Sequence, residues 1–83
     1  MRILYFAAVR EAIGLDGESV TLPASVVTVN DLVEWLTGKG AGYATAFADR
    51  ARLRAAVDQR FVAPDASILG AEEVALFPPV TGG

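Results

Sequence analysis

The sequence predicts a single α+β domain: a mixed sheet of about five strands, one main helix across one face, and a second short helix. Three observations predict it. Both ends of the chain alternate apolar side chains with the period of a strand. Residues 28–37 repeat them with the period of a helix. Short extended runs separated by turn residues fill most of the remainder. Strands gathered in runs around one amphipathic helix imply a helix packed on one sheet face. The 83 residues leave no room for a second domain.

From Arg2 to Ala8, Ile3, Tyr5 and Ala7 fall on one face and Leu4, Phe6 and Ala8 on the other, which predicts a strand apolar on both sides. Val9 and Ile13 are spaced as neighbours on a helix and Gly14 follows, predicting one helical turn with a glycine stop. Asp16-Gly17 marks a turn. Ser19 to Leu22 then predicts a second strand, antiparallel to the first and ended by Pro23.

The main helix is expected from Thr28 to Thr37. Val29, Leu32, Val33 and Leu36 form one stripe, Thr28 is a suitable N-cap, and Asp31 sits three residues later with its charge at the positive helix end. Gly38 and Gly40 stop it. Trp35 lies off the stripe, at the helix flank. Gly42 to Ala48 predicts the second helix, with Tyr43 and Phe47 one turn apart. Arg50, Arg52 and Arg54 alternate with Ala51, Leu53 and Ala55, so the arginines are expected to share a solvated strand face leading into a strand over residues 53–57. Asp58-Gln59 connects to a short return strand at Phe61-Val62. Ala63-Pro64-Asp65 turns, Ser67 to Leu69 is extended, Gly70-Ala71 turns, and the last strand starts near Glu73. This order is that of the ubiquitin-like β-grasp, in which the first and last strands lie side by side and parallel at the sheet centre.

Composition narrows the chemistry. Hydrophobic content of 53% suits a packed domain rather than a disordered chain. No apolar run reaches the ~20 residues of a membrane span. The N-terminus enters strand pattern without a basic leader, so a cytoplasmic location is expected. Cysteine and histidine are absent, which removes thiolate chemistry, soft metal sites and the usual neutral-pH proton shuttle. A net charge of −3 argues against nucleic acid. The carboxylates Asp49, Asp58, Asp65, Glu72 and Glu73 are scattered in turns, with no pair spaced for acid–base work. The chain is therefore not expected to be an enzyme by itself.

The C-terminal segment is the most specific feature. Glu73-Val74-Ala75-Leu76-Phe77 reads as a strand, which Pro78 ends because proline has no N–H for a ladder. Pro79 keeps Pro78 extended. Val80, Thr81, Gly82 and Gly83 follow. Residues 1–77 are thus expected to form the domain and residues 78–83 a flexible tail, spanning roughly 18–20 Å when extended. Glycines without Cβ let backbone approach backbone closely, which suits a terminal carboxylate that enters a narrow channel. If Ile3, Tyr5, Val74 and Leu76 face the helix, Phe6 and Phe77 fall on the opposite face and Phe61 can join them as an apolar patch. Should a loop cover them, or the register slip by one, they become core instead.

The stretch from Glu73 to Gly83, the opening Ile3-Leu4-Tyr5-Phe6-Ala7-Ala8-Val9-Arg10-Glu11 and the middle Leu53-Arg54-Ala55-Ala56-Val57-Asp58-Gln59 resemble the small, sulfur-carrier subunits of molybdopterin synthases. The resemblance spans essentially the whole chain. It departs at Asp58, where the family often has asparagine, and at Gly70-Ala71-Glu72, where an acidic-Gly-acidic turn is more usual. It implies that a ubiquitin-activator-like enzyme adenylates the Gly83 carboxylate with ATP. Sulfur from a desulfurase system then makes a Gly83 thiocarboxylate. The tail, Pro78 to Gly82, threads it into the large subunit, where sulfur passes to cyclic pyranopterin monophosphate. The resemblance also implies that Phe6, Phe61 and Phe77 help dock the large subunit, that Arg10 lies near that interface, and that the assembly is a heterotetramer. No cofactor or metal is expected on the chain, and neither nucleic acid nor membrane is an expected partner. A carrier for thiamine synthesis or another pathway, a ubiquitin-like protein modifier and a plain interaction module are the alternatives.

Overall fold

The computed structural model describes residues 1–79; the expectations for Val80, Thr81, Gly82 and Gly83 lie outside the described residues. In chain order the elements are β1 (Arg2–Tyr5), α1 (Ala7–Ile13), β2 (Gly17–Ser19), α2 (Val29–Thr37), α3 (Ala41–Ala46), a 3₁₀ turn (Arg50–Arg52), β3 (Arg54–Val57), β4 (Arg60–Val62) and β5 (Glu73–Phe77). The sheet order is β2-β1-β5-β3-β4. β1 and β5 pair in parallel at its centre, with Ile3 beside Val74 and Tyr5 beside Leu76, and the other pairings are antiparallel. This is the expected β-grasp arrangement.

The core lies between this sheet and α2. Val29, Leu32, Val33 and Leu36 are buried, each contributing about 2 kcal/mol by leaving water. They meet Ile3, Tyr5, Val74 and Leu76, which are also buried. The helix start is a capping box: the Asp31 N–H donates to Thr28 Oγ1 at 3.1 Å, and the Thr28 N–H donates to Asp31 Oδ2 at 3.1 Å. Trp35 is half-buried at the helix flank, as expected, and Phe47 is buried just beyond α3. Among the described residues no helix is long and apolar enough to cross a membrane.

Five elements differ from the sequence reading. The first strand ends at Tyr5 rather than Ala8, because Phe6 donates its N–H to Leu76 O and Ala7 then turns the chain at φ 53°. The single turn expected over residues 9–13 is consequently a two-turn helix, closed by left-handed Gly14 whose N–H reaches Arg10 O at 2.7 Å. The second strand lies at Gly17–Ser19, earlier than expected, since α1 takes up most of the connection and returns the chain directly opposite Leu4. The arginines do not share a strand face. Arg50 and Arg52 belong to a 3₁₀ turn held by Arg52 N–H to Asp49 O and Leu53 N–H to Arg50 O, and only Arg54 enters β3. The second helix is also shorter than residues 42–48, because the Phe47 ring turns into the core at its end.

Candidate docking face and tail exit

β5 carries the C-terminal segment out of the sheet between two other strands rather than along an edge. Parallel β1 lies on one side and antiparallel β3 on the other, so Phe77 is flanked by the end of β1 and by Arg54. Both neighbours fix the direction in which Pro78 and Pro79 leave. Both prolines are half-buried. Proline at the first position past the ladder ends pairing without leaving an N–H unsatisfied.

Among the described residues no helix lies on the sheet face away from α2. One row of residues crosses all five strands on that face: Gly17, Leu4, Ala75, Ala56 and Phe61 stand opposite one another in turn. The row is low because three of its members are glycine or alanine. Gly17 is required there, since a Cβ would lie 2.7 Å from Ile3 O. Ala75 and Ala56 are buried even on this open face, shielded by the larger side chains around them. Phe61 is 82% exposed and Phe6 46% exposed, whereas Phe77 is half-buried.

The Phe61 and Phe77 rings lie 5.7 Å apart at 48°, within the range of favourable aromatic pairs. Together with Arg54, Ala55 and Val62 they border a depression of about 220 Å³. The structure thus brings Phe61 and Phe77 together. Phe6 lies across β5 from them, at the end of β1, where its N–H holds Leu76 O at 3.2 Å. Arg10 sits in α1, half exposed, with its Nε 3.9 Å from Asp16 Oδ1. A larger groove of about 500 Å³ runs on the other side of the sheet, between Val29 and Val33 of α2 and Leu53, Ala55 and Val62.

Two features escaped the sequence reading. Arg54 borders the depression beside Phe61 and Phe77, a placement that its alternation with Arg50 and Arg52 does not signal. The second feature is a polar cluster around Glu18. Its Oε2 accepts from Tyr5 Oη at 2.8 Å and from Tyr43 Oη at 2.6 Å, and its Oε1 accepts from Lys39 Nζ at 3.0 Å. The Lys39 ammonium also lies over the Trp35 and Tyr43 rings, 5.5 and 5.3 Å from their centres. Burial pushes the Glu18 carboxyl up, but the hydrogen bonds from Tyr43, Tyr5 and Lys39 outweigh it and hold the group below its usual range. Burial first, and Glu18 second, raise the Tyr43 hydroxyl to about 12 and push Tyr5 further still. Both phenols therefore stay protonated at neutral pH, and the cluster braces β1, β2 and α3 rather than moving protons. Among the described residues no group of metal-ligating side chains comes together.

The ThiS family profile matches residues 3–83. The chain belongs to the ThiS family. Over its full length it is 40% identical over 83 residues to the molybdopterin synthase sulfur carrier subunit of Escherichia coli, covering 100% of this chain and 99% of that protein. The protein of the same name from Haemophilus influenzae is 34% identical over 83 residues, again with 99% of its length covered. Among solved structures, a Pyrococcus furiosus protein described as a candidate molybdopterin converting factor, subunit 1, superposes with a TM-score of 0.71 at 28% identity, covering 95% of each chain. SAMP1 from Haloferax volcanii has a TM-score of 0.70 at 24% identity over 99% of this chain and 97% of that one, a likeness of fold. In this ThiS-family chain, Phe61, Phe77 and Arg54 lie together beside the point where β5 leaves the sheet.

Proposed function

We propose that this chain is the sulfur-carrier subunit of molybdopterin synthase, with residues 1–77 as the mount and residues 78–83 as the tail that carries sulfur. The observation that carries the reading is the 40% identity to the Escherichia coli carrier subunit along the whole of both chains. The geometry supports it. The last strand leaves the sheet at a fixed point beside an exposed aromatic pair, so a partner that covers Phe61 and Phe77 receives the tail at a defined place.

The chemistry starts at the Gly83 carboxylate, which is a poor acylating group. A ubiquitin-activator-like partner supplies ATP. The carboxylate oxygen attacks the α-phosphorus, pyrophosphate leaves, and an acyl-adenylate results. The terminal sulfur of a persulfide on a desulfurase system attacks the acyl carbon and expels AMP; a thiol then cleaves the S–S bond of the resulting acyl disulfide, is itself taken into a disulfide, and leaves a thiocarboxylate. In the large subunit the sulfur passes to cyclic pyranopterin monophosphate as molybdopterin is built. Pro78, Pro79, Val80, Thr81 and Gly82 deliver it, and Phe6, Arg10, Phe61 and Phe77 face the large subunit. The chain supplies neither a cofactor nor catalytic side chains, and works in the cytoplasm within a heterotetramer. Its titratable cluster at Glu18 is committed to structure, which agrees with catalysis on the partners.

The test is the intact mass of the protein co-produced with its activating system. Replacement of one C-terminal oxygen by sulfur is expected, and deletion of Gly83 abolishes both that species and molybdopterin formation. Gly83–lysine conjugates without any thiocarboxylate support a protein modifier instead. Rescue of a thiamine-requiring strain, but not of one lacking the molybdenum cofactor, supports a carrier for the other pathway.

A further inference from the structure

Arg54 stands on the open sheet face directly opposite Phe77. At the other end of the same face the corresponding arginine, Arg2, stands opposite Glu73. The tail end therefore has a cation where no acid of the sheet faces it. Three ion pairs form among the described residues, Arg10 with Asp16, Lys39 with Glu18 and Arg50 with Glu34, and none includes Arg54. Its guanidinium is nevertheless held in place. Nη1 donates to Ala51 O at 2.9 Å and to Leu53 O at 3.0 Å, so both Nη1 protons are used on the carbonyls of the 3₁₀ turn and its exit. The parallel Nε–H and Nη2–H pair is then the edge left for an outside group. That edge is the one that takes a carboxylate in bidentate fashion, and the two clips to the backbone have already restricted the side chain's rotamers.

The same arginine borders the depression of about 220 Å³ made with Phe61 and Phe77. We infer that the surface docking here presents an apolar side chain for the depression beside an aspartate or glutamate that pairs with Arg54. The inference rests on the reading of this chain as a carrier subunit, and it deepens that reading by stating what the large subunit must offer. A cation next to an aromatic pair also adds selectivity: a surface with a lysine or arginine at that place is repelled, although the carrier as a whole has a net charge of −3.

The test is calorimetric titration of the chain against the large subunit from its own organism, at about 0.05 M and about 0.5 M salt, where screening lengths differ severalfold. Arg54→Glu is expected to weaken binding by about thirty-fold or more at the lower salt. Arg54→Gln should weaken it less and flatten the salt dependence. Arg60→Glu, on the helix side of the sheet opposite Val57, should stay within about twofold of the unaltered chain. Circular dichroism establishes that each variant is folded, and Arg54→Gln carries the test should Arg54→Glu not fold. Unchanged binding by the Arg54 variants, while Phe61→Ala weakens it, overturns the inference and leaves the carrier reading standing. Failure of the unaltered chain to bind its large subunit overturns both.

Discussion

Replacing Glu18 by alanine should destabilise the domain more than any other change of a partly exposed polar side chain in it. Glu18 accepts from two phenols and an ammonium at 2.6–3.0 Å. Tyr5 is 1% exposed, so its hydroxyl has little route to water once the carboxylate is gone; a buried hydroxyl left unpaired costs about 1–3 kcal/mol. Tyr43 and Lys39 are more accessible and regain water, so their losses are smaller, about 0.5 kcal/mol each. The expected total is about 2–4 kcal/mol, which in a domain of this size lowers Tm by about 8–25 °C. Thermal unfolding followed by circular dichroism measures it, with Glu18→Gln expected to fall between the two. The pH profile gives a second readout. The folded pKa of Glu18 is depressed, so its contribution is present above the unfolded carboxylate pKa and is lost as pH falls through the lower, folded value. The Tyr43 pKa is raised to about 12, so its contribution is full below the unfolded value near 10 and is lost as pH rises through about 12. Both flanks of the stability profile should flatten in Glu18→Ala. A Tm within about 4 °C of the parent, or an unaltered acid flank, refutes the view of Glu18 as the brace between β1, β2 and α3.

Gly42→Ala should destabilise although alanine is the better helix former. The propensity gain is about 1 kcal/mol, but the new Cβ would lie 2.6 Å from Ala12 O and 3.5 Å from Ile13 Cα, both backbone, so α1 and α3 must separate. A net loss of about 1–3 kcal/mol is expected as a lower urea midpoint. Asp58→Ala should cost about 1–2 kcal/mol by the same measurement, because Asp58 Oδ1 accepts from the Glu72 and Glu73 N–H groups at 3.0 Å each and pins the start of β5. Asp58→Asn, which keeps that oxygen and tolerates the φ of 48°, should stay close to the parent.

Whatever depends on neighbours a few residues apart is legible in the order of the residues alone. Helical spacing placed Val29, Leu32, Val33 and Leu36 on one core stripe, and Thr28 with Asp31 marked the capped start. Alternation placed Ile3, Tyr5, Val74 and Leu76 inward and sent Phe6 and Phe77 to the opposite face, where pairing with β3 brings Phe61 beside Phe77. Where local signals competed, they misled. The apolar run through Ala8 reads as strand, yet β1 stops when Phe6 closes its last bond to β5, 70 residues away in sequence. Alternating arginines read as strand, yet a 3₁₀ turn takes two of them. Which side chains meet across the chain is set by the packed fold. Glu18 finds Tyr5, Lys39 and Tyr43 at separations of 13, 21 and 25 residues, and Arg54 acquires its aromatic neighbours through pairing with β5 and β4. Torsional preference and periodicity are written locally. The partner of a polar group depends on which distant backbone the packed sheet sets beside it.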